Sequence, residues 1–249
     1  MADDSEQPTK KRKHPWWTSY TDMTQEQAEE RIGIRMEDLA SVVIPVKRML
    51  VQEGYSFDGE DSDAIMTIKE DVYKQILRYL TIEGYPTESS ANFKEQNVSD
   101  LVLLIIGPIL EEFIYRTARN KVKLVREKKI VSEDLETGGF EKFVVVDRIS
   151  VTEEKYIFII EAKREPLGAA MKQCLLSMKN LGDSNYGGVI FGFVTTGESW
   201  RMLKYDGTSF QVTEKIHAAF ETMREDKERW MRDYSIVVDC IYVALLKEL

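Results

Sequence analysis

Apolar residues recur through the first half of the chain at the three-to-four-residue spacing of helices. Thr24 followed by Gln27 makes a capping box ahead of a helix over about 25–34. A second helix over about 36–53 should end at Gly54 and kink at Pro45, which lacks the backbone donor. A third, about 63–83, sets Ile65, Ile68, Val72, Ile76, Leu77 and Leu80 on one stripe and stops at Gly84-Tyr85-Pro86. A fourth runs from near Ser99 to about Asn120, with Leu103, Ile106, Leu110, Phe113 and Ile114 facing inward.

After Lys121 the pattern changes. Residues 122–131 read as a strand, Thr137-Gly138-Gly139 as a turn, and 140–151 with 156–163 as a strand pair. Pro166 should open a helix to about Leu181, on which Met171, Leu175 and Met178 pack into the core. Residues 187–195 form an apolar run of the kind buried on both faces. Short strands over 199–205 and 209–213 flank Asp206-Gly207, and helices over about 214–232 and 234–248 close the chain. The last is apolar nearly all round, so the N-terminal helices or a second copy of the chain must cover it. A homodimer through this helix is therefore one expectation. The order predicts an α/β body over 99–249, preceded by a helical cap over 20–98.

Residues 1–19 differ from both. They are polar and should be disordered up to about residue 15. They carry Lys10-Lys11-Arg12-Lys13, which resembles a monopartite nuclear import signal fitted to the acidic groove of an import receptor. A solvated basic tail is the alternative. The Trp16-Trp17 pair that follows is expected to pack on the core.

Composition narrows the chemistry. At 249 residues, 43% hydrophobic and 31% charged, most of the chain should fold. A net charge of −9 excludes a general cationic coat for nucleic acid but allows a local basic patch. Two cysteines, Cys174 and Cys240, and two histidines, His14 and His217, make a disulfide scaffold, zinc sites and Ser-His-Asp triads improbable. The apolar run from Leu101 to Leu110 is too short to span a bilayer, so no membrane partner is expected. Enzymatic chemistry, if present, falls to carboxylates, lysine and a bound metal.

Two stretches carry that chemistry: Val144-Val145-Val146-Asp147 and Ile157-Phe158-Ile159-Ile160-Glu161-Ala162-Lys163. Each is an apolar strand that turns charged at its end, where an unpartnered carboxylate is costly. Glu161 and Lys163 share a face by strand alternation. An odd-length loop centred on Glu154 would set Asp147 across from Glu161, their β-carbons about 5 Å apart. Two carboxylates and an ammonium would then converge, a natural seat for Mg²⁺ or Mn²⁺. A metal so held suits phosphodiester hydrolysis.

Asp147 followed by Glu161-Ala162-Lys163 resembles the PD-(D/E)XK nuclease superfamily. The resemblance extends to the predicted order αβββαβ over about 99–195. It implies a restriction-endonuclease-like core with a mixed sheet, with Asp147 and Glu161 as metal ligands and Lys163 orienting the nucleophile. It also implies an assisting acid on the first core helix, Glu112 rather than Glu111, and a supporting Gln173, beside Lys172, on the helix after the third strand. Ser177 stands where the RecB-like branch has tyrosine, and Val146 replaces the proline of the motif name.

Arg116, Arg119, Lys121, Lys123, Arg126, Lys128 and Lys129 crowd into fourteen residues that hold one acid, Glu127. Phosphate contact, led by Arg116, Arg119, Lys121, Lys123 and Arg126, and a lysine-guarded sheet edge are equally good readings. The sequence thus predicts a nuclear, Mg²⁺- or Mn²⁺-dependent nuclease acting on DNA or RNA. The alternative is an inactive nuclease-like module, an effector among its forms, that binds nucleic acid or protein in the nucleus.

Overall fold

One open, mixed sheet of eight strands carries helices on both faces in the computed structural model, which describes residues 17–59, 61–85, 93–164, 167–184 and 188–247. The import motif at Lys10–Lys13, Trp16 and Pro166 lie outside the described residues. In chain order the elements are β1 (Thr18–Ser19), α1 (Gln25–Ile32), α2 (Met36–Ser41), α3 (Val46–Gln52), α4 (Ser62–Glu83) and α5 (Glu95–Thr117). Next come β2 (Val122–Val131), β3 (Thr137–Arg148), β4 (Glu154–Ala162), α6 (Leu167–Ser184), β5 (Ile190–Thr195), β6 (Ser199–Tyr205), β7 (Phe210–Val212) and β8 (Ile216–His217). A short helix, α7 (Lys227–Arg229), continues through a π-helical turn (Trp230–Tyr234) into α8 (Ile236–Leu246).

The sheet order is β2-β3-β4-β5-β6-β7, with β1 pairing in parallel with the start of β3 and β8 pairing with β6. Only β4–β5 among the central pairs is parallel, and α6 is its crossover. Alternate residues of the central strands enter two different cores. Phe143, Val145, Phe158, Ile160 and Phe193 pack with α4, α5 and α8. Val144, Val146, Ile159 and Val194 pack with α1 and α6 on the other face. Burial on both sides explains the unbroken apolar runs of β3, β4 and β5.

The capping box holds: Gln27 N–H donates to Thr24 Oγ1 at 3.2 Å, and Thr24 N–H to Gln27 Oε1 at 2.9 Å. The segment 36–53, expected as one kinked helix, is two. Ile44, the residue before Pro45, is extended and bridges Thr213, donating to Val212 O and accepting from Glu214 N. A residue before proline is pushed out of the helical region, and the sheet edge takes up the freed backbone. The turn expected at Thr137-Gly138-Gly139 lies one step earlier, over 132–136, and those three residues open β3. Their small size serves packing, since a β-carbon on Gly139 would run into the Tyr20 ring.

The expected helix over 214–232 does not form as such. Ile216-His217 pairs with β6, Ala218 N–H donates to Glu198 O, and helix resumes only at Lys227. Tertiary pairing overrides the local pattern there, and it places His217 on a sheet edge. Trp17, expected against the core, is 93% exposed.

The apolar helix α8 is covered by this chain itself. Val237 to Leu245 are buried, and α8 packs on α3, α4, α5, β4 and β8. The face through which a homodimer was expected is thus already used. No described helix is long and apolar enough to cross a membrane.

Candidate functional site

The β3–β4 hairpin sets the site, and its register differs from the sequence expectation. Arg148 pairs with Glu154, so the loop is 149–153, centred on Val151 rather than on Glu154. A bulge between Val145 and Val146 shifts the ladder once more, and Asp147 faces Lys155. Asp147 therefore does not meet Glu161. Its Oδ2 lies 2.6 Å from Arg119 Nη2 in a half-buried ion pair.

The carboxylate that does meet Glu161 is Glu141. Phe143 pairs with Ile160, so Glu141 and Glu161 lie two and one residues beyond the ladder's end on the two strands. Both are 0% exposed. Ser177, on α6, donates from Oγ to Glu141 Oε1 at 2.5 Å. Gln173, one turn earlier, donates from Nε2 to Phe140 O at 2.9 Å. Glu161 Oε2 accepts weakly from Lys142 N–H at 3.4 Å, and Lys163 Nζ stands 3.0 Å from Glu161 Oε1. Glu141 Oε2 is buried and meets no hydrogen-bond donor among the described residues.

Burial pushes the Glu141 carboxyl well above the usual glutamate range, and the neighbouring Glu161 charge adds to the effect. Burial also raises Glu161, against the pull of the Lys163 ammonium. Of the pair, Glu141 holds the proton more firmly, because the ammonium belongs to Glu161. Cys174, next to Gln173 on α6, has its thiol raised well above the ordinary value by burial and then by the two glutamates. It behaves as an inert core residue.

At the mouth stands Glu95, the first residue of α5. Its Oε1 lies 3.0 Å from Lys142 Nζ and 4.0 Å from Lys163 Nζ. Lys142 also pairs with Glu127 Oε1 at 3.0 Å. Burial depresses the Lys142 ammonium, but its bonds to Glu95 and Glu127 more than offset this and leave it above its ordinary value.

The structure thus brings Glu161, Lys163 and Gln173 together and leaves Asp147 and Glu112 apart. Glu112 lies 17 residues along α5 from Glu95, about 25 Å at 1.5 Å per residue. It lines a separate cleft with Asp71, Glu111 and Tyr115. Lys172 turns away and donates to Met23 O at 2.5 Å. Sequence reasoning missed Glu141, Glu95 and Lys142. Glu141 stands in a strand between apolar Phe140 and Phe143, where a buried acid is unusual, and that was the available signal.

The basic stretch is largely neutralised. Arg116 pairs with Asp61 at 2.5 Å, Arg119 with Asp147 at 2.6 Å and Arg126 with Asp100 at 3.9 Å. Lys128 pairs with Glu154, and Lys121 donates to Ile149 O at 3.2 Å. Lys123 projects from β2, whose outer edge pairs with no described strand. This arrangement suits a charge-guarded sheet edge better than a phosphate track.

Among the described residues, no three histidine, cysteine, aspartate or glutamate side chains are grouped to hold a metal ion. Two carboxylates with water suffice for Mg²⁺, so Glu141 and Glu161 remain the candidate pair. No protein-family model matches the chain, and no curated protein matches it.

Proposed function

We propose that the chain is a divalent-metal-dependent nuclease, acting in the nucleus on DNA or RNA, with Glu141 and Glu161 as its metal-holding pair. The observation that carries this reading is a buried pair of glutamates on neighbouring strands, one of which has an oxygen without a donor. Such a pair is costly unless a proton or a cation neutralises it. Lys163, two residues from Glu161, completes the acid–acid–lysine set, and the order α5-β2-β3-β4-α6-β5 is the αβββαβ order of PD-(D/E)XK nucleases. The resemblance supports the restriction-endonuclease-like core once Glu141 takes the place first given to Asp147.

The donor set fits a hard cation: carboxylate oxygens, no thiolate and no imidazole. Bound there, Mg²⁺ or Mn²⁺ supplies a water of lowered pKa and polarises a phosphoryl oxygen. The chain's own groups do the rest. Ser177 fixes the Glu141 carboxyl through Oε1 and leaves Oε2 to a ligand. Gln173 ties α6 to the backbone of β3 and holds the distance between the two elements. Lys163 keeps one edge toward solvent and can donate to a non-bridging phosphate oxygen or to the attacking water.

A second reading is favoured by one observation: both glutamates are closed off from solvent. A nuclease-like fold whose acids share a proton permanently would serve as a nuclear binding module for nucleic acid or protein. Calorimetric titration with Mn²⁺ and a plasmid-nicking assay separate the two. The nuclease reading expects one bound Mn²⁺ and metal-dependent nicking, with Glu141→Gln and Glu161→Gln losing both. Lys163→Met should retain metal and lose nicking. A folded wild-type chain that takes up no Mn²⁺ and cuts nothing is the binding module instead.

A further inference from the structure

Two ammonium groups share one carboxylate oxygen at the mouth of the site. Lys142 comes from β3 and Lys163 follows β4, and both Nζ atoms lie within 4.0 Å of Glu95 Oε1. Each lysine also keeps a carboxylate of its own: Glu127 for Lys142 and Glu161 for Lys163. Glu95 is therefore the third anion, held in common. It differs from Glu161 in origin and exposure. It belongs to α5, across from the strands, and its side chain is 41% exposed, whereas Glu161 is fully buried. The lysine side chains are 23% and 22% exposed, enough to meet a ligand from outside.

An oxyanion placed between two ammonium groups is the position a non-bridging phosphate oxygen takes in a lysine clamp. We propose that Lys142 and Lys163 form a two-point clamp for one backbone phosphodiester of the substrate strand, and that Glu95 is a stand-in anion that the substrate displaces. Lys142 is then a positioning residue for the nuclease reading on which the choice of ligand rests. Glu95 is a built-in competitor. Displacement frees one carboxylate to solvent and leaves Glu127 and Glu161 in place, so the lysines remain held while the phosphate enters. The exchange conserves local charge, one monoanion for another, and it requires no backbone change in β3 or β4.

The test is binding without cleavage. A short fluorescein-labelled single strand, in DNA and RNA forms, is titrated by anisotropy at low salt with EDTA present. Glu95→Gln removes the competitor, and its affinity for at least one of the two strands should tighten about fivefold, the scale of one half-exposed ion pair. Lys142→Met should weaken binding by a similar factor, and the gain from Glu95→Gln should disappear in the double variant. Glu225→Gln, an exposed acid far along the chain, controls for net charge and should change nothing. The proposal is overturned if Glu95→Gln binds no tighter than wild type, if Glu225→Gln tightens equally, if the double variant keeps the gain, or if no form binds either strand. Because no metal is present, the result is independent of nicking. Tighter binding by Glu95→Gln in a chain that cuts nothing keeps the clamp and removes the nuclease, and the opposite pattern removes the clamp alone.

Discussion

Asp147 and Glu161 lie on adjacent antiparallel strands and do not face each other. Asp147 is paired across the ladder with Lys155 and bonded to Arg119, while Glu161 lies beyond the ladder's other end beside Glu141. The Asp147 bond to Arg119 ties the loop after α5 to the end of β3, the geometry of a scaffold contact. Asp147→Ala should leave Mn²⁺ affinity and nicking as in wild type and lower stability by ~1 kcal/mol, the scale of a partly buried pair. Thermal unfolding and the calorimetric titration, run on the same preparation, check both halves. Loss of metal binding in this variant, with the fold intact, would return Asp147 to the site.

The buried glutamates make stability depend on pH with a definite sign. An unfolded glutamate ionises near 4.5, and burial raises Glu141 well above that in the folded chain, with Glu161 raised as well. As pH rises through this window the unfolded chain releases protons that the folded chain still holds, so stability falls. Below the unfolded value the cost is absent. The melting temperature should therefore drop as pH rises above the unfolded value near 4.5, and Glu141→Gln should flatten that slope. Mn²⁺ should restore the lost stability most at the alkaline end, because a bound cation neutralises carboxylates that a proton no longer covers. A slope identical in wild type and Glu141→Gln would place the pH dependence elsewhere.

How far the sequence could reveal this follows from which forces set each element. The strand 122–131, the capping box at Thr24, the buried strand Ile190–Thr195 and the Glu161-Ala162-Lys163 group all declare themselves locally, through alternation, caps and apolar runs. Register does not. It depended on where a polar hairpin turns, and Thr152-Glu153-Glu154-Lys155 offered no glycine or proline to fix the point. Centring the loop on Glu154 instead of Val151 exchanged Asp147 for Glu141. The start of α5 has a related cause. Lys94 and Asn97 make its cap, a weaker signal than Ser99, and the four-residue difference between the two starts conceals Glu95. Helix 214–232 failed because the open edge of β6 offers Ile216 backbone partners that no local pattern announces.

The packing of α6 on the sheet decides whether Ser177 and Gln173 reach Glu141 and Phe140. That packing is tightest at Gly192 of β5, where a β-carbon would stand 2.8 Å from Cys174 Sγ and closer still to Met178. Gly192→Ala must push α6 outward. The expected cost is about 1–3 kcal/mol for overpacking, with a further loss of Mn²⁺ affinity as the Ser177 bond to Glu141 lengthens. Stability and metal affinity should fall together here, whereas Ser177→Ala should cost metal affinity with a smaller change in melting temperature. Chemical denaturation and calorimetry on the two variants distinguish these effects, and an unaltered metal affinity in both would mean that α6 does not position Glu141.

The cover of α8 turns on a single polar group. Asp239 is buried among Val238, Cys240 and Ile241, yet it accepts from Tyr55 Oη at 2.6 Å and pairs with Lys69 Nζ at 2.7 Å. These bonds fix α8 to the loop after α3 and to α4, so an apolar helix that could otherwise slide acquires one seat. Asp239→Ala leaves Lys69 nearly buried without its carboxylate and removes the Tyr55 partner. The expected loss is about 3–5 kcal/mol, the cost of breaking a buried pair from one side. If α8 loosens, its apolar face becomes available between molecules, so the variant should also elute from a sizing column as larger species than wild type. Lys69→Met together with Asp239→Leu removes both charges and should recover most of the stability, since neither group is then left buried alone. Failure of that double variant to recover would show that Tyr55, rather than the ion pair, anchors the helix.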